Sequence, residues 1–104
     1  MNKSQFLQLV IGTIETSFET ECMRQGVPNI VAREDLTIIP DRESLIRAIV
    51  FGISNRFSDQ YEADMENLIR GDIAIVKTFD IKRISRRIMK SRVAQQYLKA
   101  PGLP

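Results

Sequence analysis

Leu7, Ile11, Ile14, Phe18 and Cys22 follow one another at spacings of 4, 3, 4 and 4, which traces one face of an α-helix. Glu15, Glu19 and Arg24 fall off that face. Asn2 or Ser4 can cap the start. Gly26 followed by Val27-Pro28 marks the stop, because glycine accepts the left-handed conformation beyond a helix end and proline cannot continue a helix. The pattern predicts a first helix over residues 3–25.

Between Pro28 and Pro40 the helical period is lost, and Leu36-Thr37-Ile38-Ile39 reads as either a short strand or a packed loop. Asp41 is a good N-cap for a second helix, whose Leu45, Ile46, Ile49, Val50, Ile53 and Phe57 form a broad apolar stripe. Ser58 or Asp59 can cap a third, with Tyr61, Met65, Leu68 and Ile69 on one face and Gly71 at its end. The second and third helices can equally run on as one. Residues 73–79, Ile-Ala-Ile-Val-Lys-Thr-Phe, partly alternate and are rich in β-branched side chains. They fit a ribbon paired with residues 36–39, or a short helix. Thr78 or Asp80 then caps a final helix over residues 81–100, about 29 Å long at 1.5 Å per residue, before a Pro-Gly-Leu-Pro tail. Residues 1–104 therefore read as one mainly α-helical domain of about four helices, with at most a minor two-stranded β ribbon.

Composition narrows the chemistry. The 104 residues include no His, no Trp and one Cys. Without His there is no imidazole-based nucleophile and no imidazole metal site. The five glycines form no phosphate-cradling loop. No cofactor, metal or small-molecule substrate is expected, and the chain reads as non-enzymatic. Cys22 sits in an apolar helical line, where the ordinary reading is a small buried hydrophobe and the sharper one a reactive thiol. The apolar run after Lys3 lacks a small-residue cleavage site, so no leader peptide is expected. The run from Ala48 to Ile53 falls far short of the roughly 20 residues that span a bilayer. No membrane contact is expected, and a lone Cys fits a reducing, cytoplasmic setting.

Charge changes the picture more. The chain has 15 basic and 13 acidic residues, yet residues 81–104 hold seven of the basic ones and no acid. That segment carries +7, and residues 1–80, with eight basic against 13 acidic side chains, carry −5. Lys82, Arg83, Arg86, Arg87 and Lys90 share one side of the final helix, opposite Ile81, Ile84 and Ile88. Met89, Val93 and Tyr97 form another apolar line in a different register. A second apolar line on a small domain points to contact with another chain, and its structural alternative is folding back onto the first helix.

The cationic side admits three readings: a solvated face, a nucleic-acid contact, or docking on an acidic protein surface. Asp59, Glu62 and Glu66, at spacings of 3 and 4, form an acidic strip that another copy could offer for such docking. Asp72 to Arg87 also has a loose helix-turn-helix arrangement, with Thr78-Phe79-Asp80 at the turn and Arg83, Arg86, Arg87 and Lys90 facing DNA. Thr78 stands where that turn usually has Gly, and Lys77 falls at an apolar position. The function expected from these features is a non-enzymatic interaction or structural subunit of a larger homo- or hetero-oligomeric assembly, with which a virion component is compatible. The alternative is a small nucleic-acid-binding regulator using residues 81–92.

Overall fold

The computed structural model describes residues 2–57 and 62–99. Helix α1, Lys3–Arg24, begins with a reciprocal cap: the Gln5 amide donates to Asn2 Oδ1 at 2.8 Å, and the Asn2 amide donates to Gln5 Oε1 at 2.9 Å. It ends at Gly26, whose φ of 73° is left-handed, as the Gly-Val-Pro stop predicts. Its buried apolar residues are Phe6, Val10, Ile14, Phe18 and Cys22. Leu7 and Ile11, which the spacing puts on the core line, are only half-buried. Every step of the observed line is four residues, so the line winds slowly around the helix. The winding suits a helix that α3, α5 and α2 contact in turn.

The 28–40 segment is more ordered than its lack of period suggests. Asn29–Glu34 form a short helix α2, and Leu36–Ile38 form a single 3-10 turn. Asp35 caps that turn by accepting the Thr37 amide at 3.0 Å. A strand would set Leu36 and Ile38 on one face, whereas Leu36 and Ile39, three apart, are the buried pair. The two stretches expected to form a ribbon do meet. The Leu36 amide donates to the Lys77 carbonyl at 2.7 Å, and the Phe79 amide donates to the Arg33 carbonyl at 2.8 Å. Only the first bond joins the two stretches and the second reaches Arg33 of α2, so there is no ladder, and no strand occurs among the described residues.

Helix α3, Arg42–Arg56, is capped by Asp41, which accepts the Ser44 amide at 3.0 Å. Leu45, Ile46, Ile49, Val50 and Ile53 are buried along it, as its apolar stripe predicts. Phe57 is half-buried just past its end, with its ring 5.0 Å from that of Phe6. Helix α4, Glu62–Ile73, runs two residues past the expected stop at Gly71, because Asp72 and Ile73 continue its buried side. Ser58, Asp59 and Tyr61 lie outside the described residues.

The long final helix is two. Helix α5, Ile81–Lys90, and helix α6, Arg92–Lys99, are separated by Ser91, whose ψ of 163° is extended. The Ser91 hydroxyl donates to the Ile88 carbonyl at 2.6 Å, which closes α5, and the Ser91 carbonyl accepts the Gln95 amide at 3.1 Å. The break falls where the apolar register changes, and it lets Met89 and Ala94 both bury in the same core. One continuous cluster unites the buried residues of all these elements, and the molecule measures 43 × 23 × 20 Å. No helix among the described residues is long and apolar enough to cross a membrane.

Candidate functional site

Helix α5 is two-sided. Ile84, Ser85, Ile88 and Met89 are buried against the core, while Lys82, Arg83, Arg86, Arg87 and Lys90 are exposed on the opposite side. Asp80 fixes the helix start by accepting the Arg83 amide at 3.0 Å. The five predicted cations thus share one surface, but they are not equivalent.

Arg83 and Arg87 lean back onto α4. Arg83 Nε lies 3.6 Å from Asp72 Oδ1, and Arg87 Nε lies 3.1 Å from Asp72 Oδ2. The Asp72 side chain is 1% exposed, and neither oxygen has a hydrogen-bond partner among the described residues. The two guanidinium groups are the charges that balance this buried carboxylate, whose burial alone would be costly. Farther along, Arg92 Nη2 pairs with Asp64 Oδ2 at 2.9 Å. Asp64 faces Arg92 and Asp72 faces Arg83 and Arg87, so α4 runs antiparallel to α5, with an acidic flank turned toward it and toward the start of α6. Lys82, Arg86 and Lys90 have no charged partner among the described residues. They stand four residues apart, or about 6 Å per step along the helix.

Of the acidic strip expected over Asp59, Glu62 and Glu66, the two described members are on the other flank of α4. Asp59 lies outside the described residues, Glu62 is exposed, and Glu66 lies 4.0 Å from Arg70. Arg70 also donates to both carboxylate oxygens of Glu43 on α3, at 2.6 and 2.8 Å. Among the described residues, the acids that meet the basic segment are therefore Asp72, against Arg83 and Arg87 of α5, and Asp64, against Arg92 of α6. Asp72 escaped the sequence reading, although a signal was present: it falls in the buried register of α4 with Met65 and Ile69. An acid in a core position shortly before a basic helix is a candidate buried counter-charge.

Of the Met89-Val93-Tyr97 line, Met89 is buried in the chain's own core; the side chains of Val93 and Tyr97 lie outside the described residues. The helix-turn-helix arrangement is not formed. Asp72 and Ile73 end α4, and residues 74–80 run to the start of α5 without helix, so the motif lacks its first helix.

Other chemistry is sparse. Cys22 is buried and unpaired, and burial pushes its thiol up, away from the thiolate a nucleophile needs. No cluster of three or more metal-ligating side chains occurs among the described residues. A shallow hollow at the start of α5 is bordered by Lys77, Thr78, Asp80, Lys82 and Arg83 and reaches Asp72. A second, between α1 and α3, is lined by Gly12, Thr13, Ser17, Gly52, Asn55 and Arg56. Compared with known proteins, the chain matches no family model, no curated protein and no solved structure.

Proposed function

We propose that the chain is a non-enzymatic interaction subunit that docks through the outer face of α5 onto an acidic surface of a neighbouring protein. The observation that carries this reading is the division of α5. Its apolar residues Ile84, Ile88 and Met89 are committed to the chain's own core, which leaves a surface made of charge alone. Three of its cations, Lys82, Arg86 and Lys90, have no charged partner among the described residues. Such a face gives rate and specificity of association more than raw affinity, which suits a subunit joining a larger assembly. The cytoplasm is the setting proposed for it, on the strength of its single unpaired thiol.

A nucleic-acid role draws less support. Phosphate binding strengthens with each cation offered, and here Asp72 offsets one of the five positive charges. The segment before α5 gives no second helix to seat it in a groove. The test is a titration of native protein and of a Lys82→Glu/Arg86→Glu/Lys90→Glu variant with polyglutamate and with duplex DNA, at low and physiological salt, alongside the mass of the protein in solution. Polyglutamate should bind the native chain at physiological salt and the variant not at all. Duplex binding that persists at physiological salt and vanishes in the variant would transfer the face to nucleic acid.

A further inference from the structure

The two kinds of cation on α5 point to what shape of acidic surface it takes. Asp72 draws the Nε edges of Arg83 and Arg87 inward, while the two side chains remain about half exposed, at 56% and 49%. The Nη1–Nη2 ends of both groups are left free of any partner among the described residues. An ion pair that draws one edge of a guanidinium inward turns the other edge outward, as the fork that grips a carboxylate with two parallel bonds. Arg83 and Arg87 are four residues apart, and so are Lys82, Arg86 and Lys90 beside them. Both rows therefore repeat every 6 Å or so along the axis.

We infer that Asp72 is a positioning residue that sets Arg83 and Arg87 as outward-facing forks, making α5 selective for a partner helix with carboxylates at four-residue intervals. This deepens the docking reading and rests on it. A partner helix with acids at i, i+4 and i+8 repeats at the same 6 Å or so, so its charges stay in step with both cationic rows when the helices lie side by side. The partner is a different protein. No run of acids in this chain reaches i, i+4 and i+8: Glu15 and Glu19 are followed by Met23, and Glu62 and Glu66 by Arg70. Asp64 is taken by Arg92.

Two labelled helical peptides of identical composition and net charge test this. One carries Glu at i, i+4 and i+8; the other has the same Glu residues spread around the helix. Fluorescence anisotropy at physiological salt should show the native protein binding the striped peptide at least about fivefold more tightly. Arg83→Lys/Arg87→Lys keeps every charge and removes the forks, and should bring the ratio to about one. Asp72→Asn separates the two accounts by sign. It makes the face more positive, so plain Coulomb attraction predicts tighter binding of both peptides, whereas lost positioning predicts weaker binding of the striped one. Should Asp72→Asn fail to fold, the double lysine variant decides, since both its side chains are half exposed. An unchanged preference in the double lysine variant, or tighter binding after Asp72→Asn, overturns the positioning role and leaves the docking reading standing. If neither peptide binds the native protein, or both bind Lys82→Glu/Arg86→Glu/Lys90→Glu as well as native, the docking reading falls too. A salt-sensitive dimer that excludes the peptide would assign the face to a second copy and overturn the choice of partner.

Discussion

The ring of Phe79 lies on that of Phe18, with centroids 4.1 Å apart and planes 16° from parallel. Phe79 comes from the irregular connection between α4 and α5, and Phe18 from the middle of α1. The stack, with the hydrogen bond that the Phe79 N–H donates to the Arg33 carbonyl, fixes where α5 starts and so where its cationic face looks. Arg33 adds a guanidinium 5.6 Å from the centre of the Phe18 ring.

Phe79→Ala should cost about 3–5 kcal/mol, from lost burial and the cavity left between α1 and the connection. Phe79→Leu should cost markedly less, because it refills most of the volume. Denaturant unfolding gives the difference, and amide exchange adds the location. The Leu36 and Phe79 amides, which bond across this connection, should lose protection before the α3 core does. Equal losses throughout would mean that the stack does not fix the connection locally.

Arg42 closes the end of α4. Its Nη1 donates to the carbonyls of Ile73, Ala74 and Val76 at 3.2, 2.9 and 2.9 Å, the first in the last residue of the helix, where carbonyls lack intrahelical partners, and the other two in the connection just beyond it. Arg42→Ala should therefore destabilise by about 1–3 kcal/mol. Arg42→Lys should recover only part of this, since a single ammonium lacks the planar reach of the guanidinium. Thermal unfolding of the three proteins checks the order native, Lys, Ala.

Glu21 gives the fold a pH dependence. It is buried, accepts from Arg24 Nε at 2.9 Å and from Gln25 Nε2 at 2.6 Å, and Gln25 in turn exchanges hydrogen bonds with the Asp41 backbone. The hydrogen bond from Arg24 is the main cause that lowers its pKa from 4.5 to about 2, against the opposing effect of burial. A folded pKa below the unfolded one means the carboxylate stabilises the fold above pH 4.5 or so, and this contribution fades as pH falls toward 2. Its size is about 2 kcal/mol. Glu21→Gln should flatten the stability profile between pH 4.5 and 2, while native protein should keep its slope there. Parallel profiles would remove Glu21 as the source.

Gly52 lets α3 approach α1. A Cβ at that position would crowd the Ser17 hydroxyl oxygen, with Thr13 Cγ2 in ordinary contact at 3.5 Å. Alanine in a helix interior is favoured over glycine by about 1 kcal/mol, so the two effects oppose each other. Gly52→Ala alone should be near neutral. Combined with Ser17→Ala, it should be stabilising by more than the sum of the single changes, with a coupling of about 0.5–1 kcal/mol. Strict additivity in a double-mutant cycle would show that the Ser17 side chain simply turns away.

The helices whose ends carry their own chemistry were legible from the residues alone. Asn2, Asp41 and Asp80 act as N-caps and Gly26 as a stop, because a cap needs only its own side chain and the next few amides. The stripe of α3 and the opposition of apolar and cationic sides on α5 were legible for the same reason: helical period is a local property. The rest depended on long-range packing. Residues 36–39 became a 3-10 turn because Leu36 and Ile39 both found the core, and no local pattern says which residues the core will accept. The final helix broke at Ser91, where serine's bond to its own backbone let two apolar registers reach one interior. The division of the basic face was the least legible. Whether a cation is free or held depends on which side of α4 faces α5, and that placed Asp72, rather than Glu62 or Glu66, beneath Arg83 and Arg87.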